Sequence, residues 1–299
     1  MSGPGELLAE LVCEHLEVRG RDWFESARAE VARGPSADRF AALLSLASRH
    51  APRAALEPDA AACRRAGELA PGWNPERWSV HEALRVGLIL ARTDLTRDAG
   101  ADAVEDAFRH ADVGESCALY RSLALLPAPQ RFAWRAGEGC RSNMTSVFEA
   151  VACDSPFPAA VLDDVAWRQL CIKAVFIGAP LWRVHGLDDR LDCELARMAL
   201  DLADERRSAG RSVQPELWLC LGAHGGQRGL ESLECEWAGG DLLGRRAAAY
   251  ALARSGASER LRELAEGEQD SSVAAAARDA LAGNTDQSAF RALKPTPAH

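Results

Sequence analysis

The chain has 299 residues, enough to bury a large core either as two ordinary domains or as one elongated helical array. A formal net charge of -9, with 26% charged residues, describes an acidic surface that repels nucleic acid and anionic headgroups, so partners of those kinds are excluded. Alanine is plentiful, aromatics make up 6%, and Val, Ile and Thr rarely form alternating runs, so propensity points to an all-α protein.

The segment from about Gly5 to Glu30 reads as one helix carrying Leu7, Leu8, Leu11, Val12 and Leu16 on a single stripe. Pro35, Ser36 and Asp38 restart the chain, and Arg39 to His50 forms a second amphipathic helix that ends near Pro52. The Pro71, Gly72, Asn74, Pro75 cluster is a loop. Ser79 then caps a helix through Arg92, with Glu82 three residues on completing a capping box. Further helices are expected over 101–111, 113–126, 131–140 and 144–151, divided by turn residues and by Pro127 and Pro129. Segments of this length with short connections suit an antiparallel helical array, or α-solenoid.

The longest apolar stretch, Leu170 to Trp182, is interrupted by Lys173, and the N-terminus has no basic segment followed by an apolar one. We therefore expect a cytoplasmic protein without a membrane span. The nine cysteines are odd in number, scattered and never spaced as CxxC, which reads as free thiols rather than a disulfide or metal framework.

Glu194 to Gly210 predicts a helix ended by Gly210, with Leu195, Met198, Ala199 and Leu202 inward. Asp201 and Glu205 lie one turn apart on another face; arginine pairing is the default there and joint cation ligation the alternative. The glycine-rich stretch Gly222 to Gly229 lacks a P-loop lysine and is read as a flexible connection. Asp241 to Ala253 superimposes on Asp270 to Ala282 at an offset of 29 residues, pairing Ala247 and Ala248 with Ala276 and Ala277. Over 239–284 this resembles short HEAT-type repeats, which must stack on preceding helices to cover their apolar faces. One domain over 1–284 is expected, followed by a flexible tail over 285–299.

Several residues can carry chemistry. Only Lys173 and Lys294 are lysines among 35 basic residues. Lys173, in an apolar run, can serve as a base, a Schiff-base amine or a charge for phosphate, or can simply rest its stem on the core. Asn143 is expected to cap the helix that holds Glu149, or its helix start can receive an anion. Glu149, flanked by apolar residues, is a candidate acid or base, or the partner of an arginine. Asp188 to Asp192 spells the DDxxD of class I terpene synthases, where carboxylates hold Mg2+ against a diphosphate. The matching second metal motif is missing, so Asp188, Asp189 and Asp192 compete with a reading as solvated charges at a helix start. No G-x-S-x-G, H-E-x-x-H, P-loop or G-x-G-x-x-G after a strand is present.

Six ordered segments carry a resemblance: Pro71 to Val80 (PGWNPERWSV), Ala111 to Glu115 (ADVGE), Asn143 to Ala150 (NMTSVFEA), Pro156 to Pro158, Lys173 to Leu181 (KAVFIGAPL) and Gly186 to Met198 with its ELARM ending. On these the chain resembles the EboA family of metabolite traffic proteins from about Asp38 to Ala253. His185 departs from the glutamine of that pattern, and Leu191 to Cys193 replace an Ala-Asn-Pro turn. The resemblance implies gene sets with a UbiA-type prenyltransferase, a sugar-phosphate-cyclase-like protein, a TatD-like hydrolase and an isomerase-like barrel. It also implies delivery of natural-product precursors across the inner membrane, and hence a prenylated or cyclitol-like intermediate.

The leading expectation is an accessory protein that binds an intermediate or partner enzymes, among them a membrane prenyltransferase, and sits in the cytoplasm or at the inner membrane through those partners. The alternatives are a lyase, transferase or hydrolase acting on a phosphorylated or isoprenoid metabolite, and a HEAT-like protein scaffold. The reading leans away from catalysis, with Lys173 and Glu149 as the candidate catalytic groups. The candidate ligand-binding residues are Asn143, Thr145, Glu149, Lys173, Arg183, His185, Asp188, Arg190 and Glu194. No cofactor is expected; Mg2+ enters only with the diphosphate alternative.

Overall fold

The computed structural model describes residues 3–293. Among them every regular element is helical, and the one β-bridge joins Ala55 to Ser79. The chain divides into two compact units, Met1–Asp163 and Asp164–His299.

In the first unit the helices are α1 (Pro4–His15), α2 (Val18–Ala32), α3 (Ala37–Leu46), α4 (Ala60–Leu69), α5 (Val80–Leu90), α6 (Asp98–His110), α7 (Val113–Ser122), α8 (Ala133–Arg141), α9 (Thr145–Ala152) and α10 (Phe157–Val161). α5 is central, packing on α1, α2 and α7. Its residues from Val80 to Ile89 are buried except for the first-turn His81 and Glu82, the pattern of a helix surrounded by others. Gly87 lets the Phe24 ring come close, since a Cβ there would meet it at 3.1 Å. The expected capping box forms: Glu82 N donates to Ser79 Oγ at 3.2 Å, and Ser79 N donates to Glu82 Oε2 at 2.7 Å.

The single helix expected from Gly5 to Glu30 is two. The chain is extended at Leu16 and Glu17, and Arg21 Nε donates to the Leu16 carbonyl at 2.9 Å. Leu16 stays buried through this break, so the apolar stripe continued across a turn that periodicity does not register. Beyond the turn Gly20 lies against the His50 carbonyl, where a Cβ would come within 2.6 Å, and Trp23 stacks on His50 at 4.2 Å.

In the second unit the helices are α11 (Asp164–Ile177), α12 (Cys193–Ser208), α13 (Gly226–Gly239), α14 (Leu242–Arg254), α15 (Ser258–Glu266) and α16 (Ser271–Leu281). α12 ends as expected: Gly210 takes φ 67, its amide bonds Arg207 O, and the Arg211 amide bonds Arg206 O, the two bonds of a Schellman motif. The glycine-rich stretch read as a flexible connection instead enters α13 at Gly226.

α14 packs on α13, α15 and α16. The two copies of the sequence repeat occupy equivalent places in α14 and α16. Asp241 accepts from Gly244 N and Asp270 from Ser272 N and Val273 N, each capping its helix. The matched pairs Ala247–Ala248 and Ala276–Ala277 are all buried.

Residues 287–293, expected within a flexible tail, form a 3-10 helix that buries Phe290 and Leu293. The Gln287 side chain donates to the Trp182 and Val184 carbonyls at 2.7 and 2.9 Å, and Phe290 meets Tyr250 at 5.8 Å between ring centres. The polar composition of this segment concealed two apolar anchors. Lys294 and the rest of the expected tail lie outside the described residues.

Candidate functional site

The predicted site residues fall in both units. In the first, Asn143 and Thr145 are exposed, and Glu149 is half-buried on α9 between buried Phe148 and Ala150. Asn143 was expected to cap α9 and does not: the helix begins after Met144, and the Met144 amide donates to Ser142 Oγ at 3.1 Å. That bond closes a turn ahead of the helix, and no side chain caps α9.

In the second unit Lys173 is half-buried midway along α11, beside buried Cys171 and Ala174. Arg183 is buried in a 3-10 turn, and His185 is exposed. The acidic run beyond them is organised by arginine. Asp188 pairs with Arg254 at 2.5 Å and accepts from Gln287 N at 3.0 Å, which fastens the final 3-10 helix. Arg190 pairs with Asp164 at 2.8 Å and lies over the Trp167 ring at 4.6 Å. Asp192 caps α12 by accepting from Leu195 N at 2.7 Å, and Arg168 Nη2 reaches it at 2.6 Å. The Arg168 hydrogen bond holds the Asp192 carboxyl below its usual range despite some burial. Glu194 receives two bonds from Arg197, at 2.9 and 2.6 Å.

The DDxxD spelling therefore does not gather carboxylates around one point. Asp188 and Asp192 face different arginines, Asp189 is exposed, and no group of three or more His, Cys, Asp or Glu among the described residues could hold a metal ion. Asp201 takes the arginine pairing expected of it, from Arg197 at 2.6 Å and from Arg228 at 2.8 Å.

Sequence reasoning missed the polar core of the first unit. Glu82, treated as a cap alone, also pairs with Arg121 of α7 at 2.7 Å, and Arg121 lies 5.4 Å over the buried Trp78 ring. Burial pushes the Glu82 carboxyl up, but the Arg121 charge and the bonds from Ser79 and Arg121 outweigh it and leave its pKa below the ordinary value. One turn on, buried Arg85 donates from Nε to the Leu44 carbonyl at 3.0 Å and faces Glu115 at 3.9 Å. On α8, Arg135 pairs with Glu105 and Glu138 between the rings of Phe108 and Trp134.

A lone arginine inside an apolar helix was the available signal, visible as Arg85 in VHEALRVGLIL and Arg121 in ALYRSLALL. Chemically these are neutralised pairs that link neighbouring helices. Cys117 beside them is an inert thiol, its pKa raised by burial. The cavity against Glu115, about 230 Å³ and lined by Leu44, Ser45, Ala107, His110 and Leu119, is smaller than an ordinary small-molecule site.

A family model described as "Metabolite traffic protein EboA" matches residues 5–222, well over half of the chain. The match begins within α1 and ends just beyond the buried 3-10 turn Pro215–Cys220, so the repeat helices α13 to α16 lie outside it. No curated protein and no solved structure matches the chain.

Proposed function

The chain belongs to the EboA family of metabolite traffic proteins, and from that premise we propose that it is an accessory protein that binds a biosynthetic intermediate. The family match carries this reading. The pairing of the acidic candidates with arginines supports it, because Asp188, Asp192 and Glu194 serve as anchors and caps rather than as a poised acid and base. The ligand proposed is a prenylated or cyclitol-like precursor, with Asn143, Thr145, Glu149, Lys173, Arg183, His185, Asp188, Arg190 and Glu194 as the residues to test. Partner enzymes, including a membrane prenyltransferase, would bring the protein from the cytoplasm to the inner membrane; no helix among the described residues is long and apolar enough to cross one.

A second reading rests on α14 and α16, whose aspartate caps and buried alanine pairs recur at the 29-residue offset. Such stacked pairs suit a HEAT-like scaffold for a protein partner. The enzymatic alternative requires Lys173 or Glu149 to act on a bound phosphorylated or isoprenoid metabolite.

The test is a native mass spectrum of the protein purified from its producing host, repeated on Lys173→Ala. A small molecule retained by the wild type and lost by the variant supports the ligand site. A co-purified protein without any ligand supports the scaffold and overturns the metabolite-binding reading.

A further inference from the structure

In the first unit an open pocket of about 570 Å³ lies between the first turn of α1, the outer face of α2 and the segment that follows α5. This volume falls in the ordinary range of small-molecule sites. Two of its lining residues are arginines. Arg92 is 6% exposed, and its Nε and Nη2 are held by Asp94 at 2.9 and 2.8 Å, yet its Nη1 is buried without an acceptor. Arg28 contacts the Phe24 ring at 5.7 Å, and its Nε is likewise buried without an acceptor. The Arg92 guanidinium lies over the Phe40 ring at 4.9 Å, and both orphaned atoms are enclosed by protein, so the charge a ligand can reach is the outer end of the half-buried Arg28, for which the described residues supply no carboxylate within ion-pair distance.

The remaining walls define the rest of the ligand. Leu90, Leu95, Leu125 and Pro127 supply an apolar surface, and the first turn of α1 adds the Gly5 amide, which has no partner four residues back in its own helix. Glu6 also lines the pocket, with its Oε2 taken by the Gly3 amide at 2.8 Å. Asp94 already neutralises Arg92, so Arg28 is the uncompensated cation, while Glu6 opposes a second negative charge.

We propose that this pocket binds a small monoanionic amphiphile, with a carboxylate received by Arg28 and an apolar body lying along Leu90, Leu95, Leu125 and Pro127. The site is independent of Lys173 and of the candidate residues tested above.

The experiment is calorimetric titration of the full chain with octanoate, octyl phosphate and octan-1-ol, on wild type, Arg28→Gln, Ala29→Trp and Lys173→Ala. Ala29 is an exposed lining residue on α2, so a tryptophan there fills the pocket without entering the core. Octanoate is expected to bind one to one, with octyl phosphate, octan-1-ol and the Arg28→Gln variant each weaker by at least about tenfold, as befits loss or mismatch of a charge-assisted contact. Ala29→Trp is expected to abolish binding, and Lys173→Ala to leave it unchanged. No octanoate binding to wild type, equal binding by Arg28→Gln and Ala29→Trp, or preference for the alcohol or the phosphate overturns the proposal. Loss of binding in Lys173→Ala alone places the ligand elsewhere and overturns it too.

Discussion

Replacing Glu82 by alanine removes three contacts at once: Arg121 Nε at 2.7 Å, the Ser79 amide at 2.7 Å and the Ser79 hydroxyl at 2.8 Å. Arg121 is 7% exposed and, besides its pair with Glu82, lies over the Trp78 ring. Stranding a buried charge of this kind costs about 3–5 kcal/mol, and loss of half a capping box adds up to about 1 kcal/mol. A total of about 4 kcal/mol is a large part of the 5–15 kcal/mol that ordinarily separates native from unfolded protein. The effect can be read locally from Cys117, a buried thiol on α7 that feels the Glu82 charge. Its alkylation under native conditions requires opening, so 4 kcal/mol corresponds to roughly a thousandfold faster labelling. The pair Glu82→Ala with Arg121→Met removes the stranded charge and should restore all but about 1 kcal/mol. Less than tenfold acceleration in the single variant, or equal rates in the single and double variants, refutes a stabilising role for the pair.

Acid should act through the same groups. Glu82, Asp94 and Asp192 all titrate below their ordinary values of 4.5, 3.8 and 3.8, so their contribution is present above those values and is lost as pH falls through the lower folded ones. Urea titrations should show stability falling steeply below about pH 4, and Glu82→Gln should flatten that fall. Glu236 runs the other way: burial raises its pKa, so its cost grows as pH rises from 4.5 through the raised value. Asp192→Ala should destabilise by about 1 kcal/mol through the α12 cap and Asp192→Asn by less, since asparagine caps as well, read as denaturation midpoints. Asp188→Asn should loosen the final 3-10 helix by about 1 kcal/mol, seen as roughly fivefold faster amide exchange over 287–293. Alkylation mapped by mass should reach the exposed Cys193 and Cys235 first and Cys220 last, because burial pushes the Cys220 thiol up to about 12.

Helical class, the α5 capping box and the Gly210 stop were legible because each depends on residues within one turn of chain. The break at Leu16 was not, because Leu16 stays buried across it and keeps the apolar spacing unbroken. Nor was the extended pairing of Ala55 with Ser79, where Leu56 N bonds Trp78 O and Val80 N bonds Ala54 O.

The candidate site shows the same limit. Composition singled out Lys173 and spelling singled out Asp188 to Asp192, but neither reports partners distant in sequence. Arg254 is 66 residues from Asp188, and Arg168 is 24 from Asp192. Glu82 and Arg121, 39 residues apart, were each visible as an isolated charge in an apolar helix, and only the packing of α5 on α7 joins them.

The central claim is that this chain carries a metabolite rather than converting one. Its most direct test is to incubate the ligand-stripped protein with a metabolite extract of the producing host and to follow bound and free compounds over time by mass spectrometry. The account predicts that one compound is enriched with the protein in a fixed ratio and is released unchanged on denaturation. Depletion of a compound far beyond the amount of protein, with a new product accumulating, would contradict it and make the chain an enzyme.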